Sequence, residues 1–427
     1  MGSSSSKTAY SASNTGGASV AAYELSSALT ETLSEINLNG SLNEQLRQLL
    51  ERLDQEAAKY TNSKVNDEDS TEWNPSQSEV QLISAAWKCA RGTYDLDGTL
   101  ADTSYCTFRR DQVVDSSFAG TVKLITSTVV EAKAVSPMTG SLPVLVLAIR
   151  GSASKMDHIV NANAQPRTTE SFIAHSGFLN SARALESIVT NLVNKYLESF
   201  HETSGKRPHI LFTGHSAGGA VSQLLYLRHI SNQDLSQSAR FSCVTFGAPP
   251  CLTRHVDLDI FQPSSGTTCV NVINEFDVVT RADKPYILSL VDVARAMLDL
   301  PPKAAISEYE TSEGIVGAAL ESTRDEKRRL SDDSVDFPVK ESNFWRFPQP
   351  FYHHVGPRLI LLTRYVDNQM SLKAVEISSS EFQKLLFCRV TVHGKRFYEE
   401  RIGALEQGLF NNRSAWKPDG RLQGESS

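Results

Sequence analysis

The chain has 427 residues, a formal net charge of −7, 40% hydrophobic and 21% charged residues. These are the proportions of a globular protein able to bury a large core. An acidic chain without a long basic run lacks the clustered Lys and Arg that phosphate backbones require, so no nucleic-acid partner is expected.

Residues 1–20 are rich in Ser, Ala and Gly and are expected to be disordered. They hold no apolar segment of secretory type. Met1-Gly2 followed by Ser3 to Ser6 and Lys7 fits the N-myristoylation pattern, with Gly2 as acceptor. One myristoyl chain gives only marginal, reversible membrane contact. Lys7 is the only basic residue among the first 40, and no cysteine precedes Cys89, so a second anchoring signal is not encoded there. The longest apolar run, Pro143 to Ile149, is too short to span a bilayer. Six cysteines, at 89, 106, 243, 251, 269 and 388, show no CxxC or CxxH spacing. The reading is an intracellular, cytoplasmic chain with free thiols and no metal or cofactor.

Residues 21–77 read as a helical arm and linker. Leu25, Leu29, Leu33 and Ile36 share one helical face, and Leu42, Leu46, Leu49 and Leu53 share another. Ser41 and Glu44 form a capping-box pattern before the second helix. Docking onto the main domain is its expected use, with partner binding second. The polar stretch 61–76 reads as a linker.

The main domain is placed at 78–400. Val80, Leu82, Ile83, Ala86 and Trp87 predict a buried helix, and Thr121 to Val130 a strand. Val144 to Ile149 is a continuous apolar run, the mark of a strand covered on both faces. Phe178 to Phe200 has helical spacing. Strands are predicted at 209–213, 241–246, 269–274 and 358–363, and helices over 218–229 and 286–300. Strands alternating with helices predict an α/β fold with a mostly parallel sheet flanked by helices. Residues 301–342, rich in charge and Ser, read as a surface insertion. Within them, Arg328-Arg329-Leu330-Ser331 resembles a kinase site but reads as a solvated charge run. Residues 401–427 read as a polar tail.

The chemistry centres on Gly214-His215-Ser216-Ala217-Gly218, a GxSxG pentapeptide. His209 to Thr213 supplies an incoming strand and Gly219 to Tyr226 an outgoing helix, the setting the motif requires. Glycines allow the sharp turn, and the helix N-terminus favours negative charge developing beside Ser216. A serine nucleophile needs a base and a carboxylate to hold it, here expected in the chain order Ser, acid, His. Asp277 closes the strand 269–274, with Asp283 the runner-up six residues on. His353 and His354 compete for the base.

The string Thr213 to Ala220 resembles the nucleophile elbow of class 3 lipases, a family of the α/β-hydrolase superfamily. Further blocks fit in the same order: Val144 to Ser154, His175-Ser176-Gly177-Phe178, Val244 to Pro249, Val272 to Asp277, and Tyr352-His353-His354-Val355-Gly356. The resemblance implies a serine hydrolase acting on lipid-like esters through an acyl-enzyme. It assigns Ser216 as nucleophile, Asp277 as acid and, through Tyr-x-His-x-Gly spacing, His354 as base. It places the oxyanion donors at Ser152 and Ala217. Where the family usually has a proline after the acid block, this chain has Thr280. The family lid corresponds to Lys155 to Ala174, whose polar composition predicts weak interfacial activation. Two other functions remain open: a catalytically weak lipase-like binding or signalling protein, and acyl transfer to an alcohol by the same triad.

Overall fold

A computed structural model describes residues 40–96, 98–115, 124–133, 143–151, 166–169, 172–200, 207–256, 258, 267–298, 344–366 and 369–411. Gly2, Ser152, the first arm helix, most of the lid segment, the insertion 301–342 and residues 412–427 lie outside the described residues.

The frame is a nine-stranded sheet. Its strands are β1 (Ser70–Glu72), β2 (Cys106–Asp115), β3 (Leu124–Ala132), β4 (Val144–Ile149), β7 (His209–His215), β8 (Arg240–Phe246), β9 (Cys269–Asn274), β10 (Arg358–Val366) and β11 (Gln369–Ile377). Two short strands, β5 (Pro166–Thr168) and β6 (Ile173–His175), pair apart from it. In the main sheet the order is β1-β11-β10-β9-β8-β7-β4-β3-β2. The five strands from β4 through β10 run parallel, and antiparallel strands close each edge.

The helices are α1 (Leu42–Ala57), α2 (Gln77–Gly92), α3 (Ser176–Ser199), α4 (Ala217–Ile230), α5 (Gln233–Ser238), α6 (Lys284–Met297), α7 (Ser379–Gln383) and α8 (Lys395–Glu406). They cover both faces of the sheet, which is why its strands lack polar alternation. Along β4, Leu145, Leu147 and Ile149 face a core formed with α3 and α4. Val144, Val146 and Ala148, one residue out of phase, face a second core with α2 and α8. Five of the six cysteines are buried, and all six are free thiols.

Three stretches differ from expectation. Residues 61–76 are not a plain linker: they form two single-turn helices at Thr61–Ser63 and Asp67–Asp69, then the edge strand β1 paired with β11. The polar tail begins later than 401, because α8 runs to Glu406 and buries Ile402 and Leu405, and Phe410 is buried beyond it. Finally, β2 and β11 form strands that the reading of the sequence passed over. The arm helix α1 docks as expected: Leu49, Leu50, Leu53 and Ala57 are buried against α6, and the Ser41–Glu44 capping box is present.

Candidate active site

The register of the parallel strands lines up their C-terminal ends. Ile149 pairs with Gly214, Gly214 with Thr245, and Phe246 with Val272. Loops leaving those ends converge, as in other open α/β sheets.

Ser216 stands between β7 and α4 with φ 61° and ψ −134°. A serine held at positive φ is strained, and the surroundings enforce it. Its N–H donates to Phe246 O at 2.9 Å. The glycines around it are sterically required. A Cβ on Gly214 would collide with the backbone of Gly218 and Gly219, and one on Gly218 with the backbone of Ile149 and Arg150. This packing sets the first N–H groups of α4, beginning at Ala217, beside the serine. Such groups have no partner within the helix and suit an oxyanion. Gly151, the last described residue of the β4 loop, also abuts Ser216: a Cβ there would lie 3.3 Å from Ser216 Cβ.

Asp277 follows β9 after Phe276, itself at φ 74°. It caps the turn Val278–Arg281, and its Oδ1 accepts from Val279 N at 3.0 Å. Thr280, standing where proline was expected, donates its hydroxyl to Asp277 O at 2.7 Å and so fastens the same turn by another means.

The histidine brought between them is His393, not His354. His393 Nε2 lies 2.8 Å from Ser216 Oγ. Its Nδ1 lies 2.9 and 3.1 Å from the two oxygens of Asp277. All three side chains are buried, Asp277 and His393 completely and Ser216 to 3% exposure. His393 sits on a single helical turn, Thr391–His393, immediately before α8. Tyr398, on α8, donates its hydroxyl to Asp277 Oδ2 at 2.8 Å and accepts from Asn274 N at 3.1 Å. α8 is tied to α2 by Trp87 Nε1 to Glu399 and Ser84 Oγ to Glu406, at 2.6 and 2.8 Å.

A brace runs behind the imidazole. His215 Nε2 donates to His393 O at 3.0 Å, and the two rings stack with centroids 4.7 Å apart. With Nε2 protonated, Nδ1 accepts from the Tyr94 hydroxyl at 3.2 Å, which in turn accepts from Gly151 N at 3.2 Å.

His354 is occupied elsewhere, which corrects its expected role. It is 3% exposed, and its Nε2 donates to Ala248 O at 2.9 Å. Burial, helped by the Arg358 charge, pushes its pKa down to about 3, so it is neutral and takes no part in the Ser216 network. Its block builds a turn. Gly356 adopts φ +78°, Val355 N donates to Gln223 at 2.8 Å, and Asn271 donates to Val355 O at 2.6 Å, which together steer the chain into β10. His353 approaches Gln383 at 2.9 Å. Asp283 caps α6, and burial raises its carboxyl to about 7. Ser152 lies outside the described residues.

His393 satisfies the order Ser, acid, His as well as His354 does. The available signal was position: it immediately precedes an amphipathic segment in which Tyr398, Ile402 and Leu405 share a face.

Residues 146–286 match the family model described as Lipase (class 3). This part of the chain is thus similar to the class 3 lipase family. The matched segment holds Ser216 and Asp277 and stops before either candidate histidine. The fold is that of the α/β-hydrolases. Among solved structures, the chain is similar to a Rhizomucor miehei lipase propeptide complex, at 14% identity over 78% of this chain and 82% of that one, TM-score 0.45. It is also similar to a lipase from Rhizopus microsporus var. chinensis, at 14% identity over 52% and 74%, TM-score 0.38. A third is lipase II from Rhizopus niveus, at 15% identity over 50% and 77%, TM-score 0.37. No curated protein matches significantly.

Proposed function

We propose that this class 3 lipase-like chain hydrolyses carboxylic esters of lipid-like substrates through a Ser216–His393–Asp277 triad. One observation carries the reading: a single buried imidazole bridges Ser216 Oγ and the Asp277 carboxylate at 2.8 and 2.9 Å. That is hydrogen-bond reach for a nucleophile, its base and the base's orienting acid.

In this mechanism Ser216 Oγ attacks the acyl carbonyl while His393 Nε2 takes its proton. Asp277 holds the imidazole in the required tautomer and stabilises the imidazolium. Tyr398 and Val279 N in turn hold the carboxylate. The oxyanion is received by Ala217 N–H, with Ser152 the second donor. His393 then gives its proton to the departing alcohol. Water, deprotonated by His393, attacks the acyl-enzyme and releases the acid, restoring Ser216.

A fluorophosphonate probe tests the nucleophile. The unaltered protein is expected to be labelled and to hydrolyse dispersed acyl esters, and Ser216→Ala to do neither. Labelling that persists in Ser216→Ala would sink the assignment. Ester consumption with product only on an added alcohol would instead favour acyl transfer.

A further inference from the structure

Beside the acid loop lies a cleft with about 20 Å3 of free space, walled by Arg281, Asp283, Tyr352, His354, Arg358 and Phe382. It is narrow, and two of its walls are buried guanidinium groups. Arg281 is 7% exposed and Arg358 3%. Arg281 donates to Gln383 O at 2.6 Å and feels the neighbouring Asp283 carboxylate, but its Nε has no partner. Arg358 Nη2 has none either. Among the described residues no carboxylate lies within ion-pair distance of either group. Aromatic faces offset part of the charge: Tyr286, Phe347 and Phe382 lie 4.5 to 5.4 Å from Arg281, and Phe382 lies 5.8 Å from Arg358. They leave Arg281 Nε and Arg358 Nη2 without an acceptor.

Elsewhere this chain satisfies two partly buried arginines. Arg364 meets both oxygens of Glu275, at 2.7 and 3.0 Å. Arg401 donates to Leu361 O and to Thr363 at 2.8 Å. Two unpaired guanidiniums side by side are costly unless something anionic completes them. Asp283, the carboxylate on this wall, has its oxygens engaged by Lys284 N at 2.9 Å, Phe351 N at 2.5 Å and Tyr352 N at 3.4 Å.

We propose that this cleft binds a phosphate group, held by the free Arg281 Nε and Arg358 Nη2 donors. Donors from two separate guanidiniums suit a tetrahedral oxyanion, and a phosphate monoester balances two positive charges where a carboxylate balances one. The phosphate is either free or carried on a lipid headgroup. Arg281 ends the turn that Asp277 begins, so the occupant lies one helical turn from the triad acid. The site uses neither Ser216 nor His393, so it stands or falls separately from the hydrolase reading.

Calorimetric titration of the full chain with inorganic phosphate, at ionic strength fixed with chloride, tests this. Saturable binding is expected, weakened about tenfold or more in Arg358→Gln and in Arg281→Gln. If Arg358→Gln does not fold, Arg281→Lys, which keeps the charge and loses the planar fork, is expected to show the same weakening. A second arm uses soluble dihexanoyl phosphatidate and dihexanoyl phosphatidylcholine with the Ser216→Ala chain, so that no acyl ester is consumed. Phosphatidate binding more tightly than inorganic phosphate identifies a lipid headgroup, and equal binding identifies a free anion. The proposal is overturned by absence of saturable phosphate binding, by binding unchanged in the arginine variants, or by acetate competing as well as phosphate does.

Discussion

Two histidines carry the contrast at the residue scale. His354 and His393 are equally hidden, yet one ring touches Ser216 and Asp277 while the other is spent on a main-chain carbonyl. Replacing His393 by Gln removes the proposed base, and kcat on a dispersed ester is expected to fall on the order of 10⁴-fold or more with folding retained. His354→Gln is expected to keep kcat within roughly tenfold. Its signature is instead in stability. A base whose folded pKa is pushed from 6.5 to about 3 contributes stability present above 6.5 and lost as pH falls toward 3. Urea midpoints between pH 7 and pH 4 are therefore expected to fall less steeply in His354→Gln than in the parent. A collapse of kcat in His354→Gln with activity surviving in His393→Gln would reverse the assignment.

Loops, not strands, bring the proposed triad together at the element scale. Three chain segments meet at Gly247, which follows β8 at φ +57°. A Cβ there would lie 2.8 Å from Tyr398 Oη, 3.0 Å from Asp277 Oδ2 and 3.0 Å from His393 Nδ1. Gly247→Ala must therefore strain its backbone and push on the acid–base pair at once. Hydrolysis is expected to fall by about 10²-fold, since such pairs tolerate little misplacement, with a stability loss of about 1–3 kcal/mol. A variant with unchanged kcat and unchanged melting temperature would show that this crowding relaxes freely. The same scale explains the tolerance at Thr280, where a side-chain hydrogen bond holds the turn that a proline ring was expected to hold.

Across the whole molecule, the segments flanking the matched family region complete the fold. α1 closes the core over α6, with Leu53 fully buried there, and Arg389 pairs with Asp54 of α1 at 2.9 Å. Leu53→Ala is expected to cost about 2–4 kcal/mol in a denaturant titration, the range for truncating a packed leucine. A loss under about 0.5 kcal/mol would mean the helix is only loosely applied. At the other end of the chain, α8 covers the sheet face shared with α2 and carries Tyr398 to the triad. Among the described residues no helix is long and apolar enough to cross a membrane.

The sequence by itself determined the parallel sheet and the nucleophile elbow. Continuous apolar runs such as Val144 to Ile149 reveal strands covered on both faces, and glycines around Ser216 reveal a turn with no room for side chains. Both are local signals, written within a few residues of the feature they specify. Asp277 was legible for the same reason, because it directly follows a strand whose end is fixed by the sheet. The base was not. Its distance from Ser216 depends on how β10, β11 and the turn at Thr391 return the chain over the sheet, a matter of long-range packing that spacing along the chain does not encode. A histidine block at the expected spacing drew attention to His354, while Trp87, Glu399 and Tyr398 fix where α8, and with it His393, comes to rest. The unsatisfied Arg281 Nε and Arg358 Nη2 are likewise invisible in sequence, since only the folded chain shows which buried donors lack an acceptor.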